Sequence, residues 1–326
     1  MIERGFTMKS GLGKSIAQHP ADKSVSKWKR GLRKTWPLHL LILPATIIAI
    51  VFHYLPIFGL VMAFQDYKPW LGFIKSDFVG LKHFYSLFMF DESVQVIWNT
   101  LIISVLKIVC GLLVPIAIAL LLNEIRKDGM KRSIQTLVYL PHFLSWVILG
   151  GILIDLLSVK GGIVNRMLID WFGLQPIFFL GDGDWFRFIV VVSDIWKEFG
   201  FSMIIYLAAI AGVNPALYEA AEVDGATRLQ QTIHVTLPVM LPIIVVVATL
   251  QLGNVLNAGF DQIFNLYNPL VYSKGDVIDT FVYRSAMLKG DFSFATAVGL
   301  FKSMISFVLI IFSYRLAHKF ANYRIF

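Results

Sequence analysis

The chain has 326 residues, of which 57% are apolar and 15% are charged, and its mean hydropathy is +0.69. Because soluble domains are about half apolar and a quarter charged, this composition excludes an ordinary soluble domain and indicates a membrane protein. Its 29 Lys and Arg exceed its 21 Asp and Glu, and the resulting net charge of +8 would suggest nucleic acid as a partner only in a soluble protein.

The chain begins with a basic segment, residues 1–38, that carries nine Lys and Arg and is polar up to Thr35. We predict a cytoplasmic tail here and assign it no fold, since this composition is typical of disordered segments and of segments at anionic lipid. The apolar run that follows begins too late and is too long for a removable secretory signal. It is therefore predicted to stay in the membrane as an anchor.

Six charge-poor stretches are long enough to cross a bilayer as helices, because a transmembrane helix needs about 20 apolar residues. In chain order they cover residues 39–64, 97–122, 134–157, 186–211, 238–262 and 292–316. The predicted fold is an all-α membrane protein whose membrane domain covers residues 39–322, with a cytoplasmic end at 323–326. With the N-terminus inside, seventeen Lys and Arg fall on the cytoplasmic side and eight in outer loops. This bias predicts that both termini are cytoplasmic.

Residue patterns that would indicate catalysis or metal binding are missing from the sequence. The segment Gly11-Leu12-Gly13-Lys14-Ser15 is the nearest match to a phosphate-binding loop, but Met8 stands where such a loop needs glycine. The seven histidines show no metal-binding spacing, and Cys110 is the single cysteine, which excludes a disulfide within the chain. We therefore predict no enzymatic activity, no metal and no cofactor in this chain.

The loop between the fourth and fifth spans, residues 212–238, has the pattern of a helix, a turn and a second short helix. Pro215 suits the first turn of a helix, Gly225 permits a sharp change of direction, and Pro238 follows at the membrane face. Small alanines allow another protein to approach closely, and three acids offer partners for basic side chains: Glu219, Glu222 and Asp224. An amphipathic loop on the membrane surface has the same features, so the pattern alone leaves both interpretations open.

The same loop resembles the EAA signature of inner-membrane permease subunits in binding-protein-dependent ATP-binding-cassette (ABC) importers. That signature is Glu-Ala-Ala, three residues, Gly, nine residues, then an aliphatic residue, any residue, Leu and Pro. It corresponds here to Glu219-Ala220-Ala221, Gly225 and Val235-Thr236-Leu237-Pro238, with Val in place of the usual Ile. Further similarity lies in Asn99-Thr100-Leu101 and Tyr139-Leu140-Pro141. It is strongest to the carbohydrate-uptake branch, and within it to the lipoprotein-associated, polysaccharide-type permeases that include those of alginate oligosaccharide importers.

The resemblance implies a type I ABC importer permease fold in the bacterial cytoplasmic membrane, which carries oligosaccharides, including acidic ones of the alginate type, by alternating access. The implied partners are a second homologous permease, two ABC ATPase subunits that bind ATP and Mg, an extracytoplasmic solute-binding protein and membrane lipid, but not nucleic acid. The EAA loop would couple closure of the ATPases to movement of the spans. That role is carried over to Glu219, Ala220, Ala221, Asp224, Gly225, Leu237 and Pro238.

Polar residues inside the spans are candidates for the substrate pathway, because charges in a membrane are costly and often functional. In the fourth span, Asp194, Lys197 and Glu198 share one helical face, where Lys197 can pair with either acid. In the fifth, Asn254, Asn257 and Asp261 share a stripe, and Trp196 is a nearby aromatic. Hydrogen-bonding groups beside aromatic rings are typical of sugar sites. The alternative is that these residues only tie helices together.

Two further lysines lie within predicted spans, Lys107 in the second and Lys302 in the sixth. If they face the same cavity as Lys197, they are charge-selection candidates that would favour an acidic saccharide. The alternative is that they pair with Asp or Glu of a second permease.

Two other classes of function compete with the importer permease. A secondary sugar or ion transporter would show two related halves with broken helices at matching positions, and no internal repeat is visible. A membrane scaffold subunit would explain the loop but would leave the charged stripes without a role. The sequence identifies neither the sugar nor the helix that faces a partner.

Overall fold

The structure is a computed structural model that describes residues 21–321, with side chains from 35 to 315. Contacts divide the chain into two units, one that ends at Gly59 and one that begins at Leu60. Most described residues are helical, and turns and irregular segments connect the helices. The described strands form one small antiparallel sheet, in which strand β1 (Gln65–Asp66) pairs with β2 (Asp77–Phe78).

The first helix, α1, runs from Ala21 to Ala49 and continues through a π-helical turn and a 3-10 segment to Phe64. It therefore includes residues 21–38, to which the sequence analysis assigned no fold, whereas residues 1–20 lie outside the described residues. Ala, Lys and Arg are good helix formers, so the helix nucleated by the apolar run extends into this basic segment. The change of helical type precedes Pro56, whose missing N–H removes one α-helical hydrogen bond.

The second unit contains the remaining helices and confirms the predicted all-α fold. Their bounds are α2 Gly72–Lys75, α3 Lys82–Met89, α4 Asp91–Asn123, α5 Asp128–Tyr139, α6 Trp146–Leu157, α7 Ile163–Phe172, α8 Gly183–Ala211, α9 Pro215–Val223, α10 Arg228–Gln231, α11 Leu237–Gly253, α12 Phe260–Leu266, α13 Tyr272–Gly275, α14 Ile278–Tyr283 and α15 Phe292–Ala321. Helix α4 packs along α8, and α11 packs along α15.

Four helical stretches of the described chain are long and apolar enough to cross a membrane by themselves: Thr35–Phe64, Asp91–Asn123, Arg228–Gly253 and Phe292–Arg315. Two bent pairs bring the total to six if each is one span. The predicted third span is bent by 99° between Phe143 and Trp146, and the fourth turns by 68° into α9. The six predicted stretches therefore all correspond to apolar helices, while the orientation of the termini stays a prediction.

The predicted fifth span is wrong at its end. Helix α11 stops at Gly253 rather than at 262, and α12 begins only at Phe260. The intervening residues are irregular, and Gly259 has a φ of +93°, which favours glycine. Asn254, Asn257 and Asp261 consequently do not form a stripe on one helix. The apolar periodicity of the region concealed this break.

Helix α8 lies so close to the end of α5 that only glycine fits at position 200. A Cβ added to Gly200 would collide with the backbone of Val138 and Tyr139, which is held in place by its own helix. We therefore expect Gly200→Ala to destabilise the protein by about 1–3 kcal/mol, as overpacking does. Gly299→Ala in α15 is the matched control, because its added Cβ meets no atom within 4 Å. Thermal unfolding in detergent measures both, and equal stability of the two variants would contradict the prediction.

Candidate functional site

A cavity of about 370 Å³ opens beside the break between α11 and α12, and we call it the polar cavity. Helices α4, α8 and α11 contribute to its wall together with the irregular residues after Gly253. Its polar lining consists of Ser104, Lys107, Asp194, Glu198, Ser202, Gln251, Asn254 and Asn257. Four of these, Asp194, Glu198, Asn254 and Asn257, were predicted as substrate-lining residues, and the fold brings them to one place.

The broken segment exposes its polar side chains to this cavity. The Asn254 amide N–H donates to the Gln251 carbonyl at 2.9 Å, and the Asn257 N–H donates to the Asn254 carbonyl at 2.8 Å. These turn-like bonds keep the backbone compact while the Asn254 and Asn257 side chains stay exposed. Irregular backbone at membrane depth is tolerated where it lines a polar cavity. The arrangement is that of a helix that ends at a polar cavity and is followed by irregular backbone.

Lys107 lies at the wall of the cavity with three acceptors around its ammonium group. Its Nζ donates to Asp194 Oδ1 at 3.1 Å, to the Ala258 carbonyl at 2.8 Å and to Gln262 Oε1. The first contact links α4 to α8, and the other two link α4 to the break and to α12. Lys107 therefore pairs with an acid of its own chain.

Gln262 is a residue that the sequence analysis missed. Its side chain is 0% exposed, and its amide donates to the Val190 carbonyl at 2.7 Å and to Ser193 Oγ at 2.8 Å on α8. Around it, a buried apolar cluster that includes Phe186 and Ile263 packs α8 against α12. A Gln at the end of the predicted fifth span was a signal, but its partners come from elements far along the chain.

Lys197 does not line the polar cavity, although it was predicted on the same face as Asp194 and Glu198. It is 6% exposed, and its Nζ donates to Glu198 Oε1 at 2.9 Å and to the His142 carbonyl at 2.7 Å. The His142 ring meets Glu198 Oε2 at 2.8 Å and stacks on Phe201 with the ring centroids 4.1 Å apart. Lys197 thus pairs with Glu198, at the bend between α5 and α6.

Three other predicted residues lie outside the polar cavity. Asp261 is exposed on α12, where its carbonyl accepts a hydrogen bond from Asn265. Trp196 is 48% exposed and lines a separate apolar groove between α4 and α8. Lys302 pairs with Asp279 of the same chain at 2.5 Å. The substrate-lining role of these residues stays a prediction, without support from their position.

The loop that carries the EAA signature is a helix, a turn and a helix, as predicted. The Asn214 side chain caps α9 by accepting from the Ala216 N–H at 3.1 Å. Gly225 follows α9 with a φ of +77°, and the Ala226 N–H donates back to the Ala221 carbonyl at 2.8 Å. Only a residue that tolerates positive φ permits this sharp turn. The turn is therefore encoded locally, by a cap at one end and a glycine at the other.

The second half of the loop joins directly to the fifth span. Thr227 forms a capping box with Gln230, and Tyr218 OH contacts Thr236 Oγ1 at 2.9 Å, which ties α9 to the following helix. A π-helical turn then leads into α11, whose first residues are Leu237 and Pro238. A force applied to α9 would be transmitted to α11 through this short connection.

The tip of the loop projects its side chains outward. Glu219, Ala220, Glu222, Asp224 and Gly225 are all exposed, and Ala221 is half-buried. An exposed apolar side chain accompanies them, because Val223 is 88% exposed. An apolar tip surrounded by acids is the composition expected of a protein-docking surface. Within the part of the chain that the structure describes, no group of three or more His, Cys, Asp or Glu could hold a metal ion.

The chain is similar to known membrane components of transport systems. Residues 111–322 match the family described as "Binding-protein-dependent transport system inner membrane component". The chain is 44% identical over 285 residues to the polygalacturonan/rhamnogalacturonan transport system permease protein YteP of Bacillus subtilis (strain 168). The aligned region covers 87% of this chain and 88% of that protein. It is also 41% identical over 300 residues to Protein LplB of the same organism, across 92% of this chain and 94% of that protein.

Solved structures show the same fold. A chain from a bacterial ABC transporter involved in the import of the acidic polysaccharide alginate superposes with a TM-score of 0.83 and 40% sequence identity. The match covers 90% of this chain and 99% of that one. A second structure, of the alginate ABC transporter in complex with an alginate pentasaccharide-bound periplasmic protein, superposes with a TM-score of 0.82.

Proposed function

This chain belongs to the family of binding-protein-dependent transport system inner membrane components, and on that basis we propose that it forms one half of the membrane pathway of an ATP-driven importer of acidic oligosaccharides. The resemblance to carbohydrate ABC importer permeases is confirmed, and the chain is a multi-pass membrane protein with an ABC importer permease fold. The polar cavity at the break between α11 and α12 is the observation that carries the proposal of a saccharide cargo.

The polar cavity suits a saccharide because amide, hydroxyl and carboxylate groups converge on it from three elements. Asn254 and Asn257 offer both donors and acceptors to sugar hydroxyls, and Glu198 offers an acceptor. An acidic cargo is supported by the similarity to an importer of alginate and to a permease for polygalacturonan and rhamnogalacturonan. The related proteins differ in cargo, so the polar lining rather than the fold sets the preference within the pathway.

In this proposal the chain hydrolyses nothing itself. Two ABC ATPase subunits would bind ATP and Mg, and Glu219 on α9 would face basic residues of one of them. Closure of the ATPases would move α9, and the short connection through Gly225 and the capped α10 would transmit that movement to α11. A second homologous permease would complete the pathway, and an extracytoplasmic solute-binding protein would deliver the cargo. The location would be the bacterial cytoplasmic membrane, with both termini inside.

The experiment that tests the proposed function uses the complete complex in proteoliposomes, purified through a tag on this chain. We expect an ATPase and a second permease to co-purify, and labelled uronic oligosaccharides to enter only with ATP and the solute-binding protein present. Uptake driven by an ion gradient without ATP would contradict the proposal and favour a secondary transporter.

The cavity-lining asparagines give a more specific prediction. We expect Asn254→Ala and Asn257→Ala each to raise the half-saturating cargo concentration about two- to tenfold, because each removes hydrogen bonds worth roughly 0.5–1.5 kcal/mol. Asn123→Ala, at the exposed end of α4 and away from the cavity, is the matched control. Concentration-dependent uptake measures all three variants. Unchanged half-saturation in both cavity variants would exclude these side chains from cargo binding.

A further inference from the structure

We propose that Lys107 is a positioning residue, which holds the broken segment between α11 and α12 in the form that presents Asn254 and Asn257 to the polar cavity. This inference rests on the proposed function for its link to cargo, but the tie, by which we mean the hydrogen bonds from Lys107 to Asp194, Ala258 and Gln262, is a property of the described chain. It assigns Lys107 a role different from selection of charged cargo.

The hydrogen-bond donors of Lys107 all have partners within the chain. A lysine ammonium has three N–H groups, and three acceptors lie within reach of Lys107 Nζ: Asp194 Oδ1, the Ala258 carbonyl and Gln262 Oε1. None of its donors is left over for a cargo carboxylate. A carboxylate that bound Lys107 would have to displace one of these acceptors, two of which are neutral and buried.

Lys107 also bonds to the backbone of the broken segment. Where a helix breaks inside a membrane, its freed carbonyl groups need other partners, because lipid offers none. The Ala258 carbonyl lies at the end of the break, its residue is 0% exposed, and it accepts from Lys107 at 2.8 Å. Lys107 thus supplies from α4 a bond that the interrupted helix has lost. Asp194 balances the charge of the lysine at 3.1 Å.

Gln262 is a second residue through which Lys107 holds the start of α12. Its oxygen accepts from Lys107 while its nitrogen donates to Val190 and Ser193 of α8, so it links α4 and α8 through α12. Gly259, which begins the approach to α12, is compatible with this arrangement because it lacks a side chain: an added Cβ would lie 3.0 Å from Lys107 Nζ. The ammonium therefore packs against the turn as well as bonding to it.

If Lys107 positions the broken segment, removing its charge should weaken uptake of every cargo to the same extent. If Lys107 selects charge, the loss of uptake should be confined to acidic cargo. The variant is Lys107→Met in the complete complex, assayed with one neutral and one uronic oligosaccharide. We expect the half-saturating concentration of both to rise about tenfold or more, as expected when a buried charge pair is broken. Lys302→Met is the matched control, because it removes another ion-paired lysine within a span but lies outside the cavity.

A labelling measurement separates positioning from general damage. Since Cys110 is the single cysteine, Cys110→Ser gives a background in which Asn257→Cys or Ser202→Cys is the only thiol. Both positions line the polar cavity, but residue 257 lies in the broken segment and residue 202 on α8. We expect Lys107→Met to change the rate at which a small thiol reagent labels position 257 and to leave position 202 unchanged.

Gln262→Leu provides a second route to the same conclusion if Lys107→Met is poorly expressed. Because the two residues act through one bond, their effects on labelling at position 257 should be less than additive in the double variant. Loss of uptake confined to the uronic cargo, with labelling unchanged, would overturn the proposal and support charge selection. Unchanged labelling with equal losses would also overturn it. The labelling does not depend on cargo, so it still tests the tie if the proposed transport activity fails.

Discussion

Replacement of Glu219 by Lys is expected to lower both cargo-stimulated ATP hydrolysis and transport by the assembled importer at least about tenfold. Glu219 is exposed on α9, and in the proposed assembly it faces basic residues of an ATPase subunit. Charge reversal would place like charges together at the contact and weaken docking of the loop. Because the side chain is exposed in this chain alone, folding and membrane insertion should be unaffected. ATPase activity and uptake of the same proteoliposomes measure the effect.

The matched control for this charge reversal is Glu222→Lys, which changes the same charge one helical turn further along the exposed surface of α9. We expect it to retain most of the coupled activity, since the signature assigns the contact to its first acid. Normal coupled transport by Glu219→Lys, or equal losses from the two variants, would contradict the specific role of Glu219. Failure of either variant to insert would show instead that the loop contributes to folding.

A second large effect is expected from Arg284→Met, which should destabilise the fold by roughly 3–5 kcal/mol near neutral pH. Arg284 forms an ion pair with Asp276, whose carboxyl is 1% exposed, and it lies over the Tyr272 ring at 4.2 Å. Arg284 also bonds to Glu92 at 3.0 Å. Without the guanidinium, Asp276 would be a buried carboxylate whose remaining hydrogen bond from a side chain, among the described residues, comes from the Thr280 hydroxyl.

The pH dependence of that loss follows from the direction of the Asp276 pKa. Burial raises the pKa of the Asp276 carboxyl above its ordinary value, against the hydrogen bond from Thr280 and the charge of Arg284. A raised pKa in the folded state means that stability is lost as pH rises through that pKa, and removal of Arg284 raises it further. The destabilisation should therefore be largest at neutral pH and smaller in mildly acidic solution.

Thermal unfolding of purified Arg284→Met and of the unmodified protein in detergent, from mildly acidic to neutral pH, measures this loss of stability. The double variant Asp276→Asn/Arg284→Met is the control, because it removes the uncompensated charge and should recover much of the stability. A single variant as stable as the unmodified protein, or a loss that grows in acid, would contradict the explanation.

The EAA loop was predictable because its structure is local. The Asn214 cap, the capping box of Thr227 and the positive φ at Gly225 each depend on residues within a few positions of one another. The same holds for the spans, since a long apolar run forms a helix in lipid whatever its neighbours are. The helical membrane fold could therefore be predicted with only the printed sequence, and the family followed from the resemblance of the loop to the EAA signature.

The arrangement of the polar residues could not be read in this way. The stripe expected from Asn254, Asn257 and Asp261 assumed an unbroken helix, whereas the helix ends at Gly253 and Asp261 does not line the polar cavity. Helical spacing left open whether Lys197 would pair with Asp194 or Glu198, and in the structure it pairs with Glu198 at the bend between α5 and α6. Helical spacing alone could not identify which acid each lysine would meet.

By itself, the sequence determined that this is a helical membrane protein with a helix, turn and helix at residues 212–238, because hydropathy, capping and glycine turns act over short distances. Only the tertiary structure decided that Lys107 meets Asp194, the Ala258 carbonyl and Gln262, residues 87 to 155 positions away. The physical reason is that buried polar groups must find hydrogen-bond partners, and in a membrane those partners come from other helices brought close by packing.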